Sequence, residues 1–204
     1  MPPTTQQVPP DYGFLFNQPP KTKKISLPSI PTLKQHKLLA IIVGLIGAIV
    51  LIILISTLLG NNTSAGGLIT IAQEQNELIR VSTEATGNAS LQGTQNLIAN
   101  IELSITTEQQ DLLAYLKSIG KEPSQSTLAL TKNSATDSAL TTAQTNGNYD
   151  STFMTIIRGE LRAYSIALKQ TFASTTNTAQ RQLINNDYKA ANILIAEANS
   201  TSNN

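Results

Sequence analysis

The sequence predicts an all-α protein, a single N-terminal transmembrane helix followed by an antiparallel helical bundle of four to five helices. Three observations carry that expectation. Leu38 to Leu59 is an unbroken apolar run of 22 residues. Beyond Gly67, apolar residues recur at steps of three and four almost to the end of the chain, and the strict alternation expected of strands is nowhere sustained. No one of these helical stripes covers more than one face, so the outer helices have to pack on one another to be stable in water.

Residues 1–37 hold eight of the nine prolines, including Pro2-Pro3, Pro9-Pro10 and Pro19-Pro20. Proline fixes its own backbone and lacks an amide donor, which predicts a disordered cytoplasmic tail. Within it Tyr12, Phe14 and Phe16 form an aromatic island, read either as residues that dip into the inner membrane interface or as a docking motif for a cytoplasmic partner. This island, Pro19-Pro20 and the lysines that follow make the tail resemble those of envelope proteins from reduced-genome, host-attached bacteria.

The run 38–59 is long enough, at about 1.5 Å per residue, to cross the roughly 30 Å of a bilayer's hydrocarbon. Lys21, Lys23, Lys24, Lys34 and Lys37 precede it against a single acid, Asp11, whereas Glu74 and Glu77 follow it before the first positive charge, Arg80. Positive residues resist translocation, so the amino terminus is expected in the cytoplasm and the carboxyl-terminal domain outside. The long lead and long core favour an uncleaved signal-anchor over a cleaved secretory signal. Ala40, Gly44 and Ala48, with Gly47 beside them, recur on one face of the span and suit close helix–helix approach.

Residues 60–67, with Gly60, Gly66 and Gly67, are expected to form a flexible neck. In the outer bundle, 68–199, the first stripe runs Leu68, Ile71, Ala72, Gln75, Leu78, Ile79 and Ser82 and closes near Gly87-Asn88. Leu97, Ile98, Ile101, Ile105, Leu112, Leu116 and Ile119 predict a longer helix stopped by Gly120, with Pro123 behind it. A weaker helix is expected over about 124–145, on Leu128, Ala135, Ala139, Leu140 and Ala143, ending at the turn Asn146-Gly147-Asn148. Asp150 or Ser151 should cap a strong helix carrying Phe153, Ile157, Leu161, Tyr164, Leu168 and Phe172. A last helix from Asn177 aligns Leu183, Ile184, Tyr188, Ala191, Leu194 and Ile195, and 200–204 is a disordered end. Short connections predict an up-and-down arrangement, with the 124–145 segment either a bundle member or a looser addition.

Little in the outer domain suggests chemistry. The chain has no Cys, and its one His, His36, lies before the span. Acids occur on four outer helices, at Glu77, Glu102 or Glu108, Glu160 and Asp187. An all-carboxylate site for a hard cation would need several of them to face inward, but their places beside the apolar stripes read as solvated. An activated serine would need a lysine base, and Lys117, Lys121, Lys132, Lys169 and Lys189 are spaced like surface charges. Phosphate-binding glycine loops are absent. After Gly60 nine Lys and Arg face twelve Asp and Glu, a balance of −3 that offers nucleic acid no basic surface. No catalytic residue, metal ligand or cofactor is expected.

Ile101-Glu102-Leu103-Ser104-Ile105 leads through Leu112-Leu113-Ala114-Tyr115-Leu116 to Gly120, and Tyr149-Asp150 with Phe153-Met154 opens the next strong helix. In this order the stretch Leu68 to Ala198 is similar to a bacterial family of uncharacterised periplasmic ferritin-like domains. The resemblance implies a ferritin-like fold. The family's helix-embedded histidines have no counterpart here, since Thr107, Glu160 and Tyr188 or their neighbours occupy those regions. What is left is a non-enzymatic envelope protein whose outer bundle binds or positions a protein partner or self-associates. The alternatives are an extracytoplasmic ligand-binding or sensor module and a degenerate ferritin-like metal or redox protein.

Overall fold

The computed structural model describes residues 64–201. The apolar run 38–59, the lysines before it, Ala40, Gly44, Gly47 and Ala48, and the island Tyr12, Phe14 and Phe16 lie outside the described residues. No helix among the described residues is long and apolar enough to cross a membrane.

Four long helices build the core: α1 (Ser64–Ala85), α2 (Gln92–Ser118), α5 (Tyr149–Ser174) and α6 (Thr178–Thr201). Each buries the stripe its spacing announces. Leu68, Ile71, Ala72, Gln75, Leu78 and Ser82 are buried on α1, and Leu97, Ile98, Ile101, Ile105, Leu112 and Leu116 on α2. Phe153, Ile157, Leu161, Tyr164 and Leu168 line α5, while Ile184, Ala191 and Leu194 line α6. Taking one such Leu, Ile or Phe out of water contributes about 1.5–3 kcal/mol, so these stripes supply the driving force that the helices lack singly. At the end of α2, Gly120 adopts φ +68 and lets the Lys121 amide reach back to the Leu116 carbonyl at 2.8 Å, which turns the chain out of the helix.

The segment after α2 is not one weak helix. It divides into α3 (Gln125–Leu128), a 3-10 turn (Ala129–Thr131) and α4 (Ser134–Asn146). Ser124 caps α3 by accepting the Thr127 amide, and Asn133 caps α4 by accepting that of Ala135. Ala135 is exposed and Thr136 takes the buried position instead. This segment is strapped along α1. The Gln73 amide donates to the Thr127 carbonyl at 2.8 Å, the Thr131 hydroxyl to the Gln73 carbonyl at 3.0 Å, and the Gln144 amide to Asn88 at 2.9 Å.

These contacts change the expected topology. Gln109 of α2 reaches Ala72 of α1, Gln75 of α1 meets Tyr164 of α5, Arg158 of α5 meets Ala198 of α6, and Asn100 of α2 meets Glu197 of α6. Second contacts, Thr86 to Glu102, Gly67 to Thr171, Arg181 to Phe172 and Gly93 to Thr201, run in the opposite sense along each pair, so all four pairs are antiparallel, and α2 and α5 point the same way. The order is up-down-down-up, with the 119–148 connection running the length of α1, and not the simple up-and-down bundle that short connections predict.

Two further expectations are corrected. α1 begins at Ser64, so Gly66 and Gly67 lie inside a helix and not in a flexible neck. At Gly67 a side chain of α5 lies close: a Cβ there would meet Thr171 Cγ2 at 2.7 Å. Asp150 does not cap its own helix, whose N-cap, Asn148, makes no side-chain bond. Its carboxylate accepts the Ser90 amide at 3.1 Å, the Ser90 hydroxyl at 2.7 Å and the Leu91 amide at 3.1 Å, closing the start of α2, which has no side-chain cap of its own. Burial opposes ionisation there, but the bonds from Ser90 and Leu91 prevail and hold the carboxyl below its ordinary 3.8.

Candidate functional site

Polar side chains sit deep in this bundle. Gln75 of α1 is fully buried, and its amide donates to the Tyr164 hydroxyl of α5 at 2.9 Å and to Asp187 Oδ2 of α6 at 3.3 Å. Tyr164 in turn donates to Glu108 Oε2 of α2 at 2.9 Å, and the Ser104 hydroxyl donates to Glu108 Oε1 at 3.1 Å. Gln75, Glu108, Tyr164 and Asp187 give the node one member from each long helix, and Ser104 adds a second from α2. Burial raises the Glu108 carboxyl to about 7, against the two hydroxyl donors, which favour its charged form. Burial, with Glu108 and Asp111 as like charges nearby, raises Asp187 to about 8. The Tyr164 hydroxyl is raised well above its ordinary value by burial and then by Asp187 and Glu108, so it stays a donor.

A second acidic group lies on the α1–α5 side. The Arg80 guanidinium forks onto Glu77, with Nε to Oε2 and Nη2 to Oε1 both at 2.7 Å, and its Nη1 reaches Glu84 and Asp137, each at 2.6 Å. Glu77 is only 3 % exposed and also accepts the Asn133 amide at 3.2 Å. One guanidinium thus reaches three carboxylates and ties α4 to α1, with Lys132 Nζ 3.8 Å from Asp137 as a second cation. Glu74 and Glu160 have no such partner. Burial and the neighbouring Glu77 raise Glu74 to about 7; burial, then Glu74 and Glu77, raise Glu160 to about 8 against the pull of Arg80. Glu160 is 2 % exposed and its Oε1 has no hydrogen-bond partner, so it is held as the neutral acid at neutral pH.

The solvated reading of the acids is therefore overturned for Glu77, Glu160 and Asp187, which are buried; Glu108 is partly buried, and Glu102 stays at the edge, accepting the Thr86 hydroxyl at 3.3 Å. They point inward because the α3–α4 connection covers one side of α1 and because Tyr164 and Gln75 offer partners in the middle. Glu74 was not singled out by its sequence position, although it lies three residues after Ile71 and four before Leu78. Among the described residues no group of three or more His, Cys, Asp or Glu is placed to hold a metal ion. Lys117, Lys121, Lys132, Lys169 and Lys189 are exposed, as their spacing predicts.

Hollows mark the surface of the described residues. A groove of about 430 Å³ runs between α2 and α6, with Leu103, Ile193 and Leu194 on its walls and Glu108 and Glu197 among its lining residues. Leu103 is 73 % and Ile193 68 % exposed. A pocket of about 260 Å³ lies between α5 and α6 at Leu168, Phe172, Ile184 and Tyr188, and another of about 260 Å³ lies at the α1–α2 turn near Gly87 and Ile98. No family model, curated protein or solved structure matches this chain.

Proposed function

We propose that this chain is a non-enzymatic, single-pass protein of a bacterial cell envelope, with its amino terminus cytoplasmic and its helical bundle outside, and that the bundle binds or positions a protein partner or further copies of itself. The observation that carries the binding role is the α2–α6 groove, where two large apolar side chains, Leu103 and Ile193, stand in solvent beside two carboxylates. Single exposed apolar residues are ordinary; that Leu103 and Ile193 flank one groove supports reading it as an interaction surface. The anchor rests on the apolar run 38–59 and the lysines before it. The up-down-down-up order with one long crossover is the connectivity of ferritin-like bundles, which supports that fold.

Protease added to intact cells should digest residues beyond Gly60 and spare the tail, and proximity labelling from the bundle should mark its partner. Digestion of the tail alone would refute the orientation. A second reading, a degenerate ferritin-like metal or redox protein, draws on the carboxyls that four helices turn inward. Metal analysis of the purified full chain separates the two, since tightly held iron would favour the second.

A further inference from the structure

We infer that the α2–α6 groove of one molecule receives the outer ridge of α5 of a second copy, so that the bundles associate head to tail. This rests on the reading that the bundle works by binding. In the groove, Asn100 donates to Glu197 at 2.9 Å across the two helices, so Glu197 sits level with Asn100 along α2. Eight residues further along the same helix is Glu108, which places the two carboxylates about 12 Å apart with Leu103 and Ile193 between them. Both carboxylates already accept hydrogen bonds, Glu108 from Ser104 and Tyr164 and Glu197 from Asn100, but all of these donors are neutral; neither acid makes an ion pair among the described residues, and no basic side chain lines the groove, so a cation brought to the part-buried Glu108 would favour its charged form.

The opposite pattern stands on α5. Arg162 and Lys169 are exposed, seven residues and about 10 Å apart on one face, and Ile166 between them is 42 % exposed. Neither cation has a carboxylate partner within the described bundle; Lys169 Nζ only overlies the Tyr188 ring, 5.3 Å from its centre. Cation, isoleucine, cation thus matches carboxylate, apolar pair, carboxylate in sign, order and spacing, and the long Arg and Lys side chains absorb the remaining difference of about 1.5 Å. Groove and ridge are different surfaces, so the contact is heterologous, leaves a free groove and a free ridge at the ends, and builds rows or rings instead of closed pairs.

The chain has no cysteine, which makes the test clean. Full-length Leu103→Cys and Ile166→Cys copies, reconstituted into the same phospholipid vesicles and treated with a short bismaleimide, should give at least tenfold more cross-linked dimer mixed than either gives alone. Copies carrying Ile166→Cys with Arg162→Glu and Lys169→Glu should lose that product when mixed with Leu103→Cys copies. Adding Glu197→Lys to the Leu103→Cys copies should restore part of it, a recovery that misfolded protein would not show. No excess of mixed product overturns the inference, and so does equal cross-linking by Leu103→Cys copies alone, which would mean a two-fold contact. If proximity labelling then marks another protein at the groove, the binding role stands and only the self-association fails.

Discussion

Replacing Glu160 by glutamine should stabilise the bundle at pH 8 and hardly change it at pH 4.5. Glutamine has the shape of the neutral acid that the buried site holds, so the substitution removes the ability to ionise and little else. The folded carboxyl titrates near 8 and the unfolded one near its ordinary 4.5. Between these values the folded protein keeps a proton that the unfolded chain has released. Stability then falls as pH rises, by up to about 1.4 kcal/mol per pH unit for one such group, and this contribution is fully present only below about 4.5. Relaxation and water entry around the charged form should hold the total to about 2–4 kcal/mol. Glu74, Glu108 and Asp187 are raised as well and act in the same direction, so the wild type should lose stability steadily from pH 5 to 8. Urea unfolding of the 64–204 fragment, followed by circular dichroism at several pH values, reads the slope directly. A wild-type stability that is flat or rising over that range, or a Glu160→Gln protein with an unchanged slope, would refute the assignment of a buried neutral acid.

The Gly67→Ala protein should be destabilised by about 1–2 kcal/mol despite alanine's better helix propensity, because the buried Thr171 occupies the space of the new methyl; Thr171→Ala in the same chain should recover most of the loss in a thermal melt. Asp150→Ala should cost about 1–2 kcal/mol at pH 7 by uncapping α2. Because the folded carboxyl is held below 3.8, its contribution is present above that value and lost as pH falls through the lowered one, so the gap between variant and wild type should narrow in melts near pH 2.5. In a membrane dimer assay of the 38–59 segment, Gly44→Leu should lower the signal several-fold, and an unchanged signal would show that the small-residue face is not used.

The helices were legible because their apolar residues repeat at three and four and because Gly120 and Gly147 fall where the stripes end. Gln75, Ser82 and Tyr164 gave a further signal, as polar groups standing on otherwise apolar stripes, and all three are buried. The direction of α5 was not legible. It depends on a Ser-, Thr- and Ala-rich connection whose short elements carry little pattern and gain their structure by lying against α1. Glu77 reads as solvated from its own helix, since its burial is made by Asn133 and Arg80 and by a covering segment more than 50 residues away. Asp150 looked like a local cap because helix starts favour aspartate, yet its donors lie 60 residues earlier in the chain. The groove has no sequence signature at all, because it is the seam between two helices that meet only after folding.

The node of Gln75, Tyr164, Glu108 and Asp187 has one more consequence. Leucine and isoleucine seams tolerate sliding, because one aliphatic contact can be exchanged for the next a turn along. A hydroxyl, an amide and two acids drawn from separate helices permit no such exchange: a slip of about 5.4 Å by any one rod takes its group away from the partners that satisfy it. The polar centre therefore works as an index mark, fixing where four otherwise interchangeable surfaces must align before the molecule can close.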